Sequence, residues 1–256
     1  MGPMSRTDVR IPTADGPCRA FVFRPERAGP WPAVIFYMDG LGIRPVLFEM
    51  CQQIADAGYL VLLPDLFHRA GAYEPMNARE IFGDTERRQA FFAKYPASTS
   101  NVKASQDTNA FLAYLDTLPD VRGKKIGVTG YCMGGGIALT VAAQHPERVA
   151  AAASFHGGRL ATDDPNSPHR FVASIEARVL VAGADNDASF SPEQRDRLEA
   201  ALRAAGVDAR VEIWKGALHG WTMRDFPIFE AAAAERHMRE LLALFDATLK
   251  ADTRIA

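Results

Sequence analysis

The stretch IGVTGYCMGGG, residues 126–136, passes from a short apolar run into a glycine-rich turn that holds Cys132. The apolar residues 126–129 predict a buried strand, and residues 133–144 predict a helix. The glycines on either side of Cys132 indicate a tight turn, because larger side chains would clash where a strand and a helix meet closely. The stretch therefore predicts a strand, a sharp turn and a helix, with Cys132 at the turn.

Cys132 is the first candidate catalytic residue. The pattern Gly-x-Cys-x-Gly is the nucleophile elbow Gly-x-Ser-x-Gly with cysteine in place of serine. Free N–H groups at a helix N-terminus favour a negatively charged sulfur. Two other interpretations are a small buried cysteine and a phosphate-binding turn at residues 134–136. The turn lacks the Lys-Ser/Thr of a P-loop and does not match G-x-G-x-x-G. We therefore favour the interpretation of Cys132 as a nucleophile.

A nucleophile of this kind needs a general base, and His219 is the candidate. It lies in the glycine-punctuated stretch 216–221, after the last predicted strand and before the terminal helix. In α/β-hydrolases the chain order is nucleophile, acid, base, and His219 fits the last place. The other histidines lie in predicted helices or come too early in the chain: His68, His145, His156, His169 and His237.

The acid that orients the base is expected after the strand that ends near Gly183. Asp185 and Asp187 both lie in this loop. Members of the fold commonly place an apolar residue and then a proline shortly after the acid, and Phe190 and Pro192 fit this spacing better from Asp187. We favour Asp187 and keep Asp185 as the alternative, in which case Asp187 would cap the loop or the next helix.

Along the rest of the chain, predicted strands alternate with predicted helices. The predicted strands are residues 19–23, 33–37, 59–63, 126–129, 149–155, 178–182 and 209–214, and the predicted helices are residues 46–57, 102–118, 133–144, 192–205 and 229–249. A polar excursion at about 67–105, with one helix in its middle, is placed where a lid or substrate loop would lie. This alternation predicts a single α/β-hydrolase domain over 1–256, with a mostly parallel sheet and helices on both faces.

Composition narrows the class of protein. The chain has 256 residues, is 48% hydrophobic and carries a formal net charge of -2, which suits one large domain and argues against a nucleic-acid partner. No apolar run is long enough to span a membrane, and the N-terminus has no signal-peptide pattern. Three cysteines without a framework favour a reducing cytoplasm, with Cys18 and Cys51 as packing residues. We expect no metal and no cofactor.

The chain resembles the dienelactone hydrolase (carboxymethylenebutenolidase) family over nearly its whole length. The stretch 130–135 resembles the cysteine elbow of the family, and the His219 loop resembles the loop of its base. Pro64-Asp65-Leu66-Phe67, followed by Arg69, resembles a segment that carries a substrate-binding arginine. Met38-Asp39-Gly40-Leu41-Gly42 aligns with the stretch after the third strand.

The resemblance implies substrate-binding roles for Asp39, Arg69 and Arg224. Well-known members carry glutamate at the position of Asp39, where it interacts with the resting cysteine and helps to gate its ionisation. Aspartate is one methylene shorter. Arg224 is the nearest equivalent of a second substrate arginine, with its spacing offset by one. The excursion is longer at residues 72–99 than in those enzymes, so a different substrate preference is expected.

Together these features predict a cysteine hydrolase that cleaves a small-molecule ester or lactone, with a carboxylated substrate, through an acyl-thioester. The backbone N–H groups of Met133 and Gly40 are the candidates for the oxyanion hole. The alternatives are a general carboxylesterase, thioesterase or peptidase, or a non-catalytic protein of this fold that binds or senses redox state. A monomer or homodimer is expected.

Overall fold

A sheet of eight strands forms the centre of the structure, a computed structural model that describes residues 6–250. The strands are β1 (Arg6–Thr13), β2 (Gly16–Phe23), β3 (Ala33–Tyr37), β4 (Leu60–Pro64), β5 (Ile126–Tyr131), β6 (Val149–Phe155), β7 (Arg178–Ala184) and β8 (Ala209–Trp214). The helices are α1 (Pro45–Asp56), α2 (Ala78–Gly83), α3 (Thr85–Lys94), α4 (Asn101–Asp116), α5 (Met133–Gln144), α6 (Pro192–Ala204) and α7 (Ala231–Phe245). Residues 1–5, part of the stretch where the sequence predicts no signal peptide, lie outside the described residues.

The strand order is β1-β2-β4-β3-β5-β6-β7-β8. Strand β2 pairs antiparallel with β1 and β4, and the remaining neighbours, from β4 to β8, pair in parallel. Every residue of β3, β4 and β5 is buried, as expected for central strands covered on both faces. The sheet is therefore the mostly parallel one that the sequence predicts.

Two glycines of β5 show how closely helices cover the two faces. A side chain at Gly127 would meet the ring of Phe245 at 2.6 Å, at the end of α7. A side chain at Gly130 would meet the backbone oxygen of Gly134 at 1.8 Å, in α5. Because residues three apart in a strand point to opposite faces, α7 and α5 lie on opposite sides of the sheet.

Two elements differ from the sequence-based expectation. Strand β1 was not predicted, because it is an edge strand in which only Ile11 is fully buried and the apolar signal is weak. The Asp15-Gly16 dipeptide at its turn is a hairpin signal that indicates such a strand. The excursion was expected to hold one helix and holds α2 and α3. Asp84 separates them, because it ends α2 and its carboxylate accepts a hydrogen bond from Arg87 N in α3.

An aromatic cluster fixes the excursion to the sheet. The ring of Phe91 in α3 packs against Phe67, Tyr73 and Tyr95, with centroids 6.2, 6.4 and 4.9 Å away. The hydroxyl of Tyr73 donates to Asp65 at 3.0 Å and accepts from the N–H of Ile43 at 2.8 Å. Aromatic packing and two hydrogen bonds thus hold the excursion in place. Over residues 6–250, no helix combines the length and apolar character needed to cross a membrane.

Candidate active site

Cys132 lies between the end of β5 and the first residue of α5, in the turn that the sequence predicts. Its φ angle is +53°, in the left-handed region that residues with side chains rarely adopt. A side chain at Gly134 would meet the backbone oxygen of Tyr37 at 2.3 Å, and one at Gly135 would meet Ser154 Oγ at 2.5 Å. The elbow is therefore strained and tightly packed, which explains why glycines surround the cysteine.

His219 and Asp187 form a short polar contact at this site. His219 lies in the loop between β8 and α7, and its Nδ1 lies 2.6 Å from Asp187 Oδ2, in the loop after β7. Both loops follow carboxyl ends of parallel strands, the edge at which open α/β sheets bind ligands. The structure thus brings His219 and Asp187 together.

Asp185, the alternative acid, lies elsewhere. Its carboxylate accepts a hydrogen bond from Gly216 N at 2.9 Å, and its N–H donates to the carbonyl of Ala217 at 2.7 Å. These contacts hold the start of the loop that carries His219. Asp187 instead accepts from the hydroxyl and the N–H of Ser189, at 2.7 and 2.8 Å. Ser189 was not identified from the sequence, although its place two residues after an aspartate is typical of such a turn.

The electrostatics link His219 to both neighbours. Burial lowers the pKa of His219, but the hydrogen bond to Asp187 and the hydrogen bond and charge of Cys132 outweigh it and raise the pKa to about 10. Burial also raises the pKa of Asp187, and the hydrogen bonds from His219 and Ser189 overcome it and leave the pKa lowered. The charged form of the imidazole is therefore favoured by its contacts with Asp187 and Cys132.

A cavity of about 830 Å³ opens beside Cys132 and His219. Its lining includes Gly40 and Met133, the two residues proposed for the oxyanion hole. The excursion and the start of α4 contribute Phe92, Pro96, Asn101, Val102 and Lys103, and the loop after β6 contributes Arg159, Asp164 and Pro168. The lining thus combines an apolar side, two cations and the cysteine. Within the described chain, no three His, Cys, Asp or Glu side chains group as a metal site would.

Arg69 and Arg224, the two arginines implied by the resemblance, do not line this cavity. The guanidinium of Arg69 donates to both carboxylate oxygens of buried Asp107, at 2.8 and 2.7 Å, and its Nε donates to Asp15. Arg224 lines a separate groove of about 870 Å³ that contains neither Cys132 nor His219. The cations that the structure brings to the cavity are Lys103 and Arg159, which the sequence reasoning missed because no motif marks them.

Asp39 is held by Arg44, and it does not line the cavity. The Arg44 guanidinium donates to both carboxylate oxygens of Asp39, at 2.6 and 2.7 Å, and its Nε donates to Asp225 at 2.6 Å. The side chains of Arg44 and Asp39 are 1% and 2% exposed, and that of Asp225 is 30% exposed. We call Asp39, Arg44 and Asp225 the Arg44 clamp. It joins the loop of Gly40 to the loop of His219.

Replacing Arg44 with methionine is expected to lower the free energy of unfolding by about 3–5 kcal/mol, because the Asp39 carboxylate is left buried without a partner. The double variant Asp39→Asn/Arg44→Met removes both charges and should recover much of that loss. Asp225→Asn, at the more exposed end, should cost about 1 kcal/mol. Urea unfolding of the variants checks these values. An Arg44→Met variant as stable as the wild type would contradict the prediction.

His156 is a further buried histidine beside the site. Its ring lies 5.3 Å from that of His219, and its Nε2 lies 2.8 Å from the hydroxyl of Thr222. Burial, followed by the charge of His219, lowers its pKa well below the ordinary value. His156 is therefore a neutral packing partner of His219. Its position early in the chain excluded it as the base, and its contacts agree with that exclusion.

The central sheet, the strained elbow and the histidine–aspartate pair at its carboxyl edge define the protein as an α/β-hydrolase. A protein of Klebsiella pneumoniae, provisionally described as a dienelactone hydrolase, has the same fold, with a TM-score of 0.82 and 23% identity over 95% of this chain and 99% of its own.

The sequence comparisons narrow this class to a family. The model of the dienelactone hydrolase family matches residues 18–249, so the chain belongs to that family and is a carboxylic ester hydrolase. A protein of Escherichia coli strain K12, provisionally named carboxymethylenebutenolidase, is 28% identical over 92% of this chain and 84% of its own length. A relative of Methylorubrum extorquens with the same provisional name is 26% identical over 91% of this chain and 78% of its own.

Proposed function

We propose that this hydrolase uses Cys132 as a nucleophile and cleaves a carboxylated ester or lactone through an acyl-thioester enzyme. The observation that carries the proposal is the position of His219 between two groups. Its ring faces the sulfur of Cys132 on one side, and on the other its Nδ1 lies 2.6 Å from Asp187 Oδ2. A nucleophile, a base and an orienting acid are the three groups that this chemistry needs.

In the first step the thiol proton of Cys132 passes to His219, and the sulfur attacks the carbonyl carbon of the ester, whose oxygen takes the negative charge. Collapse of this intermediate breaks the carbon–oxygen bond. His219 gives its proton to the departing alkoxide. In the second step the neutral His219 takes a proton from water, and the resulting hydroxide attacks the thioester. The acid product leaves, and His219 returns the proton to the sulfur of Cys132.

The oxyanion is proposed to lie between the N–H groups of Met133 and Gly40. Met133 is the first residue of α5, and the first N–H groups of a helix have no partner within it. Gly40 lies in the loop after β3 and lines the same cavity as Cys132. Donors fixed in a helix and in a clamped loop need little reorganisation when the charge develops.

The carboxylate of the substrate is proposed to bind Arg159. This residue lies on the loop after β6 and lines the cavity, with Lys103 on the opposing α4. Its φ angle of +57° is unusual for a residue with a side chain. Its N–H donates to the carbonyl of Ser189, two residues after Asp187. A guanidinium binds a carboxylate through two parallel hydrogen bonds, so Arg159 suits this role better than the lysine.

Arg159→Met is expected to lower kcat/KM for a carboxylated ester by about 5- to 30-fold, a moderate loss because the residue is exposed and water screens its charge. The kcat/KM for the methyl ester of the same compound should fall only slightly. Arg224→Met is the matched control, because Arg224 is an exposed arginine outside the cavity. Steady-state kinetics on the acid and methyl-ester pair give the comparison. Equal losses on both substrates would remove Arg159 from substrate recognition.

The substrate is proposed to be a small molecule, in keeping with the family and with a cavity of about 830 Å³. The cytoplasmic location, the monomer or homodimer and the lack of a nucleic-acid partner stay predictions from the sequence.

A further inference from the structure

Four large hydrophobic side chains are exposed in the described part of the chain: Phe82, Phe92, Val102 and Leu218. Phe92 and Val102 line the cavity beside Cys132, and Leu218 precedes His219. Scattered exposed apolar residues need no explanation, but apolar side chains gathered at a cavity mark a binding surface. We call Phe92 and Val102, with Pro96 between them in the chain, the apolar wall.

The helix that carries Phe92 is anchored by its neighbouring residue, although it belongs to the excursion. Phe91, the neighbour of Phe92, is buried in the aromatic cluster, so the two adjacent side chains of α3 serve different purposes. Phe91 anchors the helix, and Phe92 is left 38% exposed at the cavity. A wall that is ordered before the substrate arrives loses little conformational entropy on binding.

Phe92 lies against the loop of the proposed oxyanion hole. A side chain added at Gly40 would meet the ring of Phe92 at 3.3 Å, so the ring covers that glycine. The lining near His219 is different, because Ser189 Oγ lies 3.4 Å from its Nδ1 and 2.7 Å from where a side chain of Gly158 would begin. Phe92 therefore borders the carbonyl-oxygen side of the site, and polar groups border the imidazole.

We propose that the site takes esters whose acyl part carries an extended apolar group, and that this group packs on Phe92 and Val102. The inference rests on the proposed function, in which His219 gives its proton to the leaving alcohol. The alcohol part must then lie beside His219 and its polar neighbours. The acyl part stays on Cys132 after the alcohol departs, and the apolar wall is the surface next to it.

The test compares p-nitrophenyl acetate, butyrate and hexanoate, which share one leaving group and differ only in the acyl chain. For the wild type, kcat/KM should rise by about 10- to 100-fold from acetate to hexanoate, because each buried methylene adds to transition-state binding. Phe92→Ser should lower the hexanoate-to-acetate ratio by about 10-fold. The matched control is Phe82→Ser, since Phe82 is 39% exposed on the same excursion but lies outside the cavity lining.

An unchanged ratio in Phe82→Ser and a reduced ratio in Phe92→Ser support the proposal. It is overturned by a flat acyl-chain profile in the wild type, or by a ratio that Phe92→Ser leaves unchanged. It is also overturned if the ratio falls equally in both variants, or if rates follow the length of the alcohol in a series of alkyl acetates. Turnover that depends on Cys132 but shows no chain-length preference would refute this inference alone. Absence of all ester hydrolysis, or full activity in Cys132→Ala, would refute the proposed function and this inference with it.

Discussion

Replacing Cys132 with alanine is expected to lower the hydrolysis of an activated ester by about 10⁴-fold or more, because the acyl-enzyme cannot form without the sulfur. The fold should persist, since alanine is smaller and adds nothing to the crowded elbow. Turnover of p-nitrophenyl acetate and the circular dichroism spectrum of the variant check both statements. Full activity in Cys132→Ala would exclude the cysteine as the nucleophile.

Labelling gives a second measurement of the same residue. Iodoacetamide should modify Cys132 ahead of Cys18 and Cys51, which are both buried and whose thiol pKa values burial raises. Mass spectrometry of the peptides identifies the modified residue. Rapid labelling of Cys132 without turnover of any ester would favour the alternative of a binding or redox-sensing protein.

The next largest effects are expected at His219 and Asp187. His219→Ala should lower kcat by several orders of magnitude, and Asp187→Asn by about 10²- to 10⁴-fold, because an amide orients the imidazole less well and stabilises its charge less. Asp185→Asn is the matched control in the same loop, and its effect should be small, since Asp185 bonds to Gly216 rather than to His219. A larger loss in Asp185→Asn than in Asp187→Asn would reverse the assignment of the acid.

Two of the variants above, Asp187→Asn and Cys132→Ala, should shift the titration of His219. Its pKa is raised from 6.5 to about 10, so the ring stays protonated at neutral pH and loses its proton only as the pH rises through that value. Burial alone lowers the pKa, and the raising groups are Asp187 and Cys132. Asp187→Asn and Cys132→Ala should therefore each move the titration downward, which the imidazole NMR signals would follow. An unmoved titration would mean that neither group faces the ring.

The central fold could be predicted from the sequence because its signals are local. The strands β3 and β4 are continuous apolar runs, β5 begins with a short one, and the elbow is marked by glycines that the packing against Tyr37 and Ser154 requires. The edge strand β1 lacks such a run, so it was missed. The break between α2 and α3 depends on the capping of one carboxylate, Asp84, within a polar segment.

In the candidate site, too, the residues marked by local signals could be predicted and those held by long-range contacts could not. Cys132, Asp187 and His219 each occupy a place that chain order defines, and the structure brings His219 to Asp187. The substrate arginines were assigned from a resemblance, and for Arg69 also from its place after a central strand. In the structure the guanidinium of Arg69 binds Asp107. Charge pairs join residues far apart in the chain, such as Arg44 and Asp225, which are separated by 181 positions. No local pattern reveals such a pair. Arg159 was missed because no motif marks it.

The Arg44 clamp has a consequence for engineering this enzyme. The loop of Gly40 and the loop of His219 share one buried cation, so exchanging either loop alone for that of a relative would break an ion pair of Arg44. Chimeras that replace the two loops together, with Arg44 and both aspartates treated as one unit, should fold more often than chimeras that replace one. The clamp thus makes two distant segments a single module for recombination.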